Sequence, residues 1–364
     1  MGADYRTQEI CHGWRYNRVV RVAELVAPHR FRLIEQPDPE PGAGDVLVRV
    51  GSVGICGSDL HNFSEGAVGD MPSSFPMVLG HEPSGVVVRT GAGVTGWQPG
   101  DRAALEPAIY CYHCEYCMSG RHNVCSNLRF LSQPTDPGFF RDLVTLPAGN
   151  LLAIKPTMSL DEATLFEPLA VALHSMEFAQ VSLGETAVVF GAGPIGLMTI
   201  AVLKLAGASR IFTVEPVPHR RELARAAGAT DAFSAEDPVR AILSATRGRG
   251  VDVALDCATK GDTINQCLHV TRNHGRVVIT GIPAEARISL EFHVMRRKEL
   301  AFYNVRRSNH ESREALRLLA AHPDLFRPMI THRRPLESIE HAFRIAENCE
   351  DGVGKAVITI ADLR

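Results

Sequence analysis

The spacing of apolar and polar positions changes character once along the chain. In the first half, short alternating runs are separated by Gly and Pro. Asp45 to Val53 alternates well enough for a strand with one buried face, and Ser84 to Arg89 reads the same way. Arg102 to Leu105, after the turn Pro99-Gly100-Asp101, makes a third. Short strands between Gly/Pro turns predict a β-rich unit. Near Val181 the pattern shifts to continuous apolar runs followed by helical stretches. Thr186 to Phe190 predicts a strand and Pro194 to Ala206 a helix; Arg210 to Val214 and Pro218 to Ala227 repeat the pair. Val251 to Asp256, Arg276 to Thr280 and Leu300 to Asn304 predict further strands. Fully apolar strands followed by helices imply a parallel sheet covered on both faces. After Asn309 the alternation breaks. Glu311 to Ala321 and Glu337 to Asn348 predict helices, and Ala356 to Ile360 a strand that returns to the first unit. The plan is an α/β unit inserted before the last segment of a β unit.

Composition narrows the class. At about 150 residues per domain, 364 residues suggest two domains. A hydrophobic share of 45% and a charged share of 22% are globular values and exclude a disordered or coiled-coil chain. A net charge of -3 gives no reason to expect a nucleic-acid or membrane-surface partner. No apolar run reaches the about 18 residues of a membrane span. The first residues mix charge with aromatics and lack an apolar signal core, and Arg6 breaks the myristoylation pattern. The expectation is a cytoplasmic protein with a loose arm over residues 1–17.

Val188 to Phe190 run straight into Gly191-Ala-Gly193-Pro-Ile-Gly196, a G-x-G-x-x-G turn between strand and helix. Gly191 permits the tight turn, Gly193 the close approach of a pyrophosphate, and Gly196 close helix–strand packing. The helix N-terminus adds free N–H groups and a positive dipole. Glu215, at the end of the next strand, stands where a carboxylate binds ribose hydroxyls. It would repel a 2′-phosphate, which favours NAD over NADP. His219, Arg220 and Arg221 follow closely, and pair with such a phosphate or form a solvated helix face.

Four of the nine cysteines crowd together as Cys111-x2-Cys114-x2-Cys117-x7-Cys125. Four thiolates in one loop suit a closed, structural zinc site, with an iron–sulfur cluster as the competing reading. A second set is dispersed: Cys56, His81, Glu82 and Glu167. One thiolate, one imidazole and one or two carboxylates are the donor set of a catalytic zinc with an open position.

At these residues the chain resembles the zinc-dependent medium-chain dehydrogenases. Gly80-His81-Glu82-x2-Gly85-x5-Gly91-x2-Val94 fits the family's zinc signature, and the cysteine loop and glycine turn follow in the family's order. The resemblance runs from about Arg18 to the C-terminus. Leu105-Glu-Pro-Ala108 and Phe166-Glu-Pro-Leu-Ala-Val-Ala-Leu-His174 are similar to the sorbitol- or xylitol-type polyol dehydrogenases, which carry a glutamate where Glu167 stands. The resemblance implies an α/β protein with a GroES-like β-rich catalytic domain (18–177 and 307–364) and a doubly wound Rossmann domain (178–306). It implies two zinc ions and NAD, a small-molecule alcohol substrate, and a homodimer or homotetramer.

It also implies roles. Cys56, His81 and Glu82 would hold the catalytic zinc, with Glu167 either a ligand or the holder of a water there. Asp59 would orient His81. Ser58 would begin a proton relay that reaches His61. Ile282 and Val305 would flank the cofactor at strand ends, with Arg220 beside its ribose. Phe130 and Arg306 match substrate-pocket positions. The pocket departs from the polyol pattern in two places: Asn62 replaces an aromatic and Arg307 a tyrosine. An added arginine and an amide suit a more hydroxylated or acidic sugar derivative, or point into solvent. A threonine-type or simple secondary-alcohol dehydrogenase is the alternative enzyme. A non-catalytic cofactor-binding protein and a zinc-module regulator are the alternatives of other classes.

Overall fold

The computed structural model describes residues 19–363, so the arm expected over 1–17 lies outside the described residues. Two large sheets organise the rest. The first has seven strands in the order Leu151–Ala153, Arg102–Leu105, Glu82–Thr90, Asp45–Gly54, Lys355–Thr359, Ile330–Pro335, with Leu143–Pro147 also pairing to Asp45–Gly54. Asp45–Gly54 is its hub, antiparallel both to Glu82–Thr90 and to the late strand Lys355–Thr359. The chain's last strand therefore closes the sheet that its early strands began.

The second sheet has six parallel strands in the order Asp231–Phe233, Arg210–Val214, Thr186–Phe190, Val251–Asp256, Thr271–Ile279, Ala301–Asn304. The strand order reverses between Thr186–Phe190 and Val251–Asp256, which opens a crevice at their C-terminal ends. Within Thr186–Phe190, Ala187 and Val189 enter one buried cluster while Val188 and Phe190 enter another. Successive side chains of a strand point to opposite faces, so an all-apolar strand needs cover on both. Helices Pro194–Leu205 and Phe166–Ala179 supply one layer; Pro238–Ala245 and Thr263–Val270 supply residues to the other.

Several elements escaped the pattern. Val19–Ala27 and Arg30–Pro37 form a hairpin, joined by Met77–Val78 in a sheet of three strands. Arg30–Pro37 is mostly exposed, so burial left little mark on its sequence. The helix Phe166–Ala179 buries residues around most of its circumference, including Phe166, Leu169, Ala172 and Ser175, and so lacks an amphipathic period. The short helix Gly57–Ser64 is polar on average and is set by its cap at Cys56 instead.

At the end of the parallel sheet remote from the crevice, Asp252 ties two central strands. Its carboxylate accepts from Thr186 N and Oγ1, both at 2.9 Å, and from Arg272 Nε at 2.6 Å and Arg249 Nη2 at 2.7 Å. Burial pushes the carboxyl up, but Arg249, Thr186 and Arg272 together hold it well below the usual carboxylate range. Because the folded value is depressed, the stabilisation is fully present above the unfolded value near ~3.9 and is lost as pH falls through the folded value. Asp252→Asn should therefore cost about 1–2 kcal/mol at neutral pH. The gap to wild type should narrow as pH drops below about 4, measured by urea unfolding across pH.

Candidate active site

Three separate elements deliver the donor set. Cys56 precedes the helix Gly57–Ser64, whose first turn folds back on it: Cys56 N–H donates to Asp59 Oδ2 at 3.2 Å. His81 and Glu82 lie where the chain enters the strand Glu82–Thr90. The donor atoms of Cys56, His81 and Glu82 all lie within 4.8 Å of one another. Glu167, in the first turn of helix Phe166–Ala179, is buried nearby but outside this close set.

Asp59 fixes the imidazole. Its Oδ1 lies 3.3 Å from His81 Nδ1 and accepts from Gly80 N–H at 3.3 Å and Ser132 Oγ at 3.1 Å. Burial pushes the Asp59 carboxyl up, but the charge and hydrogen bond of His81 bring it below its ordinary value. Burial likewise opposes a charged His81, yet Asp59 and Cys56 raise that imidazole well above its ordinary value. With Nδ1 turned to Asp59, Nε2 is the ring atom left for the cleft, and Ser58 Oγ lies 3.4 Å from it.

Glu82 carries a buried counter-charge. The Lys355 ammonium is in ion-pair contact with Glu82 Oε2 and donates to Ile55 O at 2.8 Å, with both side chains 1% exposed. Neither Glu82 oxygen accepts a well-formed hydrogen bond, so lone pairs remain on the side of Cys56 and His81. Gly54 makes room for the pair: a Cβ there would sit 2.0 Å from Glu82 Oε2 and 2.9 Å from Lys355 Cε. Burial pushes the Glu167 carboxyl up to about 7, with Glu82 and Glu106 adding to the rise against His81 and Lys355. A thiolate, an imidazole oriented from behind and a half-free carboxylate fit one zinc ion at an open site.

The four cysteines converge as well. Sγ separations are 3.4 Å for Cys111–Cys125 and 3.9 Å for both Cys111–Cys117 and Cys114–Cys125. Zn–S bonds of about 2.3 Å in a tetrahedron require S···S edges of about 3.8 Å. The N–H groups of Cys114 and Cys117 point at the sulfurs of Cys111 and Cys114, at 3.4 and 3.5 Å. Backbone N–H donors, of His113 first, lower the Cys111 thiol to about 5, while burial raises Cys117 to about 12. The set fits a structural zinc.

The glycine turn opens the parallel sheet's crevice. Gly191 has φ +87°, and a Cβ on Gly196 would lie 2.0 Å from Gly191 O. A Cβ on Gly193 would meet nothing within 4 Å, which is the empty cradle a phosphate group requires. Glu215 is buried, accepting from Ala192 N–H at 2.7 Å and Val217 N–H at 2.9 Å. His219, Arg220 and Arg221 all contact backbone carbonyls: Val353 O for the first two, Glu215 O and Pro216 O for the third.

The remaining singled-out residues separate. The His61 ring bonds Glu65 Oε1 at 3.0 Å on its own helix. The Asn62 amide donates to Ser58 O at 3.0 Å and accepts from Ser73 Oγ at 2.6 Å, so it braces the helix instead of lining a pocket. Phe130 lies beside His81, ring centroids 5.4 Å apart. Arg306 is exposed, whereas Arg307 Cζ sits 3.9 Å over the Phe130 ring. Ile282 is 48% exposed and Val305 packs against the core beneath the sheet. Lys355 went unnoticed in the sequence, where a lysine opening an apolar strand gives no sign of its burial.

A GroES-like unit bearing a Cys/His/Glu donor set, joined to a dinucleotide-type parallel sheet, defines the class of zinc-binding dehydrogenases. Comparisons agree: residues 42–156 match the family described as alcohol dehydrogenase GroES-like domain, and residues 194–321 match zinc-binding dehydrogenase. The chain is 36% identical over 326 residues to a probable D-xylulose reductase A of Emericella nidulans, covering 87% of this chain and 90% of that protein. It is 34% identical over 332 residues to sorbitol dehydrogenase of Gallus gallus, covering 89% and 93%. Its fold is similar to an Escherichia coli oxidoreductase/dehydrogenase of unknown specificity, with TM-score 0.88, 30% identity, and 94% and 100% of the two chains covered. The chain belongs to the zinc-binding medium-chain alcohol dehydrogenase family.

Two outcomes test the site's construction. Lys355→Met leaves Glu82 buried without its counter-charge and should cost about 3–5 kcal/mol in chemical denaturation. Cys111→Ser should release one of two bound zinc equivalents, counted by native mass spectrometry, while the equivalent at Cys56 stays.

Proposed function

We propose that the protein is a zinc-dependent oxidoreductase that transfers a hydride from a secondary alcohol (a polyol, sugar alcohol or cyclitol) to NAD. The observation that carries this reading is the convergence of Cys56, His81 and Glu82 within 4.8 Å. In this reading Cys56, His81 and Glu82 hold the catalytic zinc, and Cys111, Cys114, Cys117 and Cys125 the structural one. Bound there, the catalytic zinc supplies Lewis-acid polarisation of the substrate oxygen. Ser58, beside His81 Nε2, takes the substrate proton and passes it toward His61 at the helix surface. Glu167, with a carboxyl raised to about 7, is partly ionised near neutral pH, and its carboxylate form serves as the alternative acceptor.

For the cofactor, Gly191, Gly193 and Gly196 receive the pyrophosphate, and Glu215 selects the ribose of NAD. The carbonyl contacts of His219, Arg220 and Arg221 support NAD over NADP, because they already engage the nearby cations. Ile282 and Val305 flank the nicotinamide side, and Phe130 lines the substrate pocket. The same reading puts the protein in the cytoplasm as a homodimer or homotetramer, with no nucleic-acid or membrane partner. Among the described residues no helix is long and apolar enough to cross a membrane.

The test is NADH formation by zinc-loaded protein over polyols, cyclitols, threonine, butanediol and simple secondary alcohols, with NADP⁺ and a chelator as controls. Chelator-sensitive turnover confined to the polyols and cyclitols is expected. Ser58→Ala and Glu167→Gln should each lower kcat by about a hundredfold or more. Turnover restricted to threonine or butanediol would replace the polyol assignment, and silence with every alcohol would overturn the enzymatic one.

A further inference from the structure

Close to the donor set lies a cation that the chemistry above does not use. The Arg307 backbone is left-handed, with φ +55°, and its side chain lies over the face of Phe130 while its neighbour Arg306 is exposed. Phe130 in turn packs beside the His81 ring. One aromatic ring therefore separates a guanidinium from the donor set. Among the described residues Arg307 forms no ion pair, and its guanidinium stacks on Phe130. Burial lowers the guanidinium to about 10, Arg306 adds to the fall, and Glu167 and Tyr110 oppose it, so it stays cationic at neutral pH. By contrast, Arg129, on the same short strand as Phe130, pairs with Asp136 at 2.6 Å.

A half-buried guanidinium without a carboxylate partner is incompletely compensated. Its planar fork matches a carboxylate or phosphate in bidentate geometry, and stacking on Phe130 holds that plane while leaving N–H edges free. The geometry points to Arg307 as a specificity-determining residue that binds an anionic group carried on the hydroxylated substrate, a few carbons from the oxidised carbinol. The substrate class is then a polyol bearing a carboxylate or a phosphate. This deepens the alcohol-dehydrogenase reading and rests on it for the site of oxidation. Asn62, whose amide is engaged within its own helix and with Ser73, takes no part.

The experiment compares zinc-loaded wild type, Arg307→Gln, Arg307→Lys and Arg307→Tyr. Each is assayed with sorbitol, gluconate and sorbitol 6-phosphate, for NADH formation and, separately, by calorimetric titration of the three compounds into protein holding NADH. Wild type should favour one or both anions over sorbitol by at least about tenfold, the worth of a charge-assisted hydrogen bond. Arg307→Gln and Arg307→Tyr should abolish that ratio, Arg307→Lys should retain part of it, and raised salt should weaken anion binding alone. The two anions distinguish a carboxylate from a phosphate ligand. Equal use of sorbitol and both anions, or an anion preference that survives Arg307→Gln, overturns the proposal while leaving the dehydrogenase reading intact. So does a variant that shifts only the pH profile for sorbitol, which would make Arg307 a charge partner of Glu167. Anion binding that depends on Arg307 without any turnover upholds the anion site and overturns the dehydrogenase reading. Loss of NADH binding in all three variants would assign Arg307 to the fold, and its loss in every variant except Arg307→Lys would assign Arg307 to the cofactor; either overturns the proposal.

Discussion

A single carboxylate deep in the protein sets the geometry on which the site depends. Asp59 accepts from the backbone of Cys56, the backbone of Gly80 and the hydroxyl of Ser132, and faces the ring of His81. These groups come from three stretches of chain distant in sequence. An unpaired buried charge is costly, so the carboxylate enforces the convergence of every donor around it. The Cys56 thiol and the His81 ring are thereby brought face to face before any metal arrives. Preorganisation of this kind lets a site bind zinc without first ordering its loops.

Glu82 and Lys355 extend the same logic across the sheet. The last strand returns to pair with Ser52–Gly54, and its first residue carries the ammonium that offsets Glu82. Closing the sheet and compensating the site are one event. Gly54 is needed because the pair lies where any side chain would project.

The cysteine lobe reaches outward as well as inward. Asn309 accepts from the N–H groups of His122 and Asn123 and donates to Gly120 O. Asn123 donates to Arg306 O and contacts His174, whose other ring nitrogen lies 2.9 Å from Glu311. The lobe thus grips the segment where the parallel sheet ends and the helix that bears Glu167. A metal held by the four cysteines would stiffen this junction, and through it the stretch that presents Arg306 and Arg307. That explains physically why a closed site remote from the chemistry can matter to the cleft.

Much of this was legible in the chain itself. Local patterns follow from local physics: the strand–glycine–helix turn, the tight cysteine spacing and the apolar strands of the parallel sheet each need only near neighbours to be recognised. The strand Arg30–Pro37 and the helix Phe166–Ala179 lacked such marks, one because it is largely exposed and the other because it is buried nearly all round. The site divides in the same way. The sequence determined the donor types, the glycine cradle with Glu215 and the two-unit plan, since residue chemistry and short spacings dictate them. The tertiary structure alone decided that Lys355 is the partner of Glu82, that Asn62 serves its helix, and that Arg307 instead of Arg306 covers Phe130. Those outcomes depend on which distant segments share a volume and on the backbone turn at one residue, and neither is encoded in any local window.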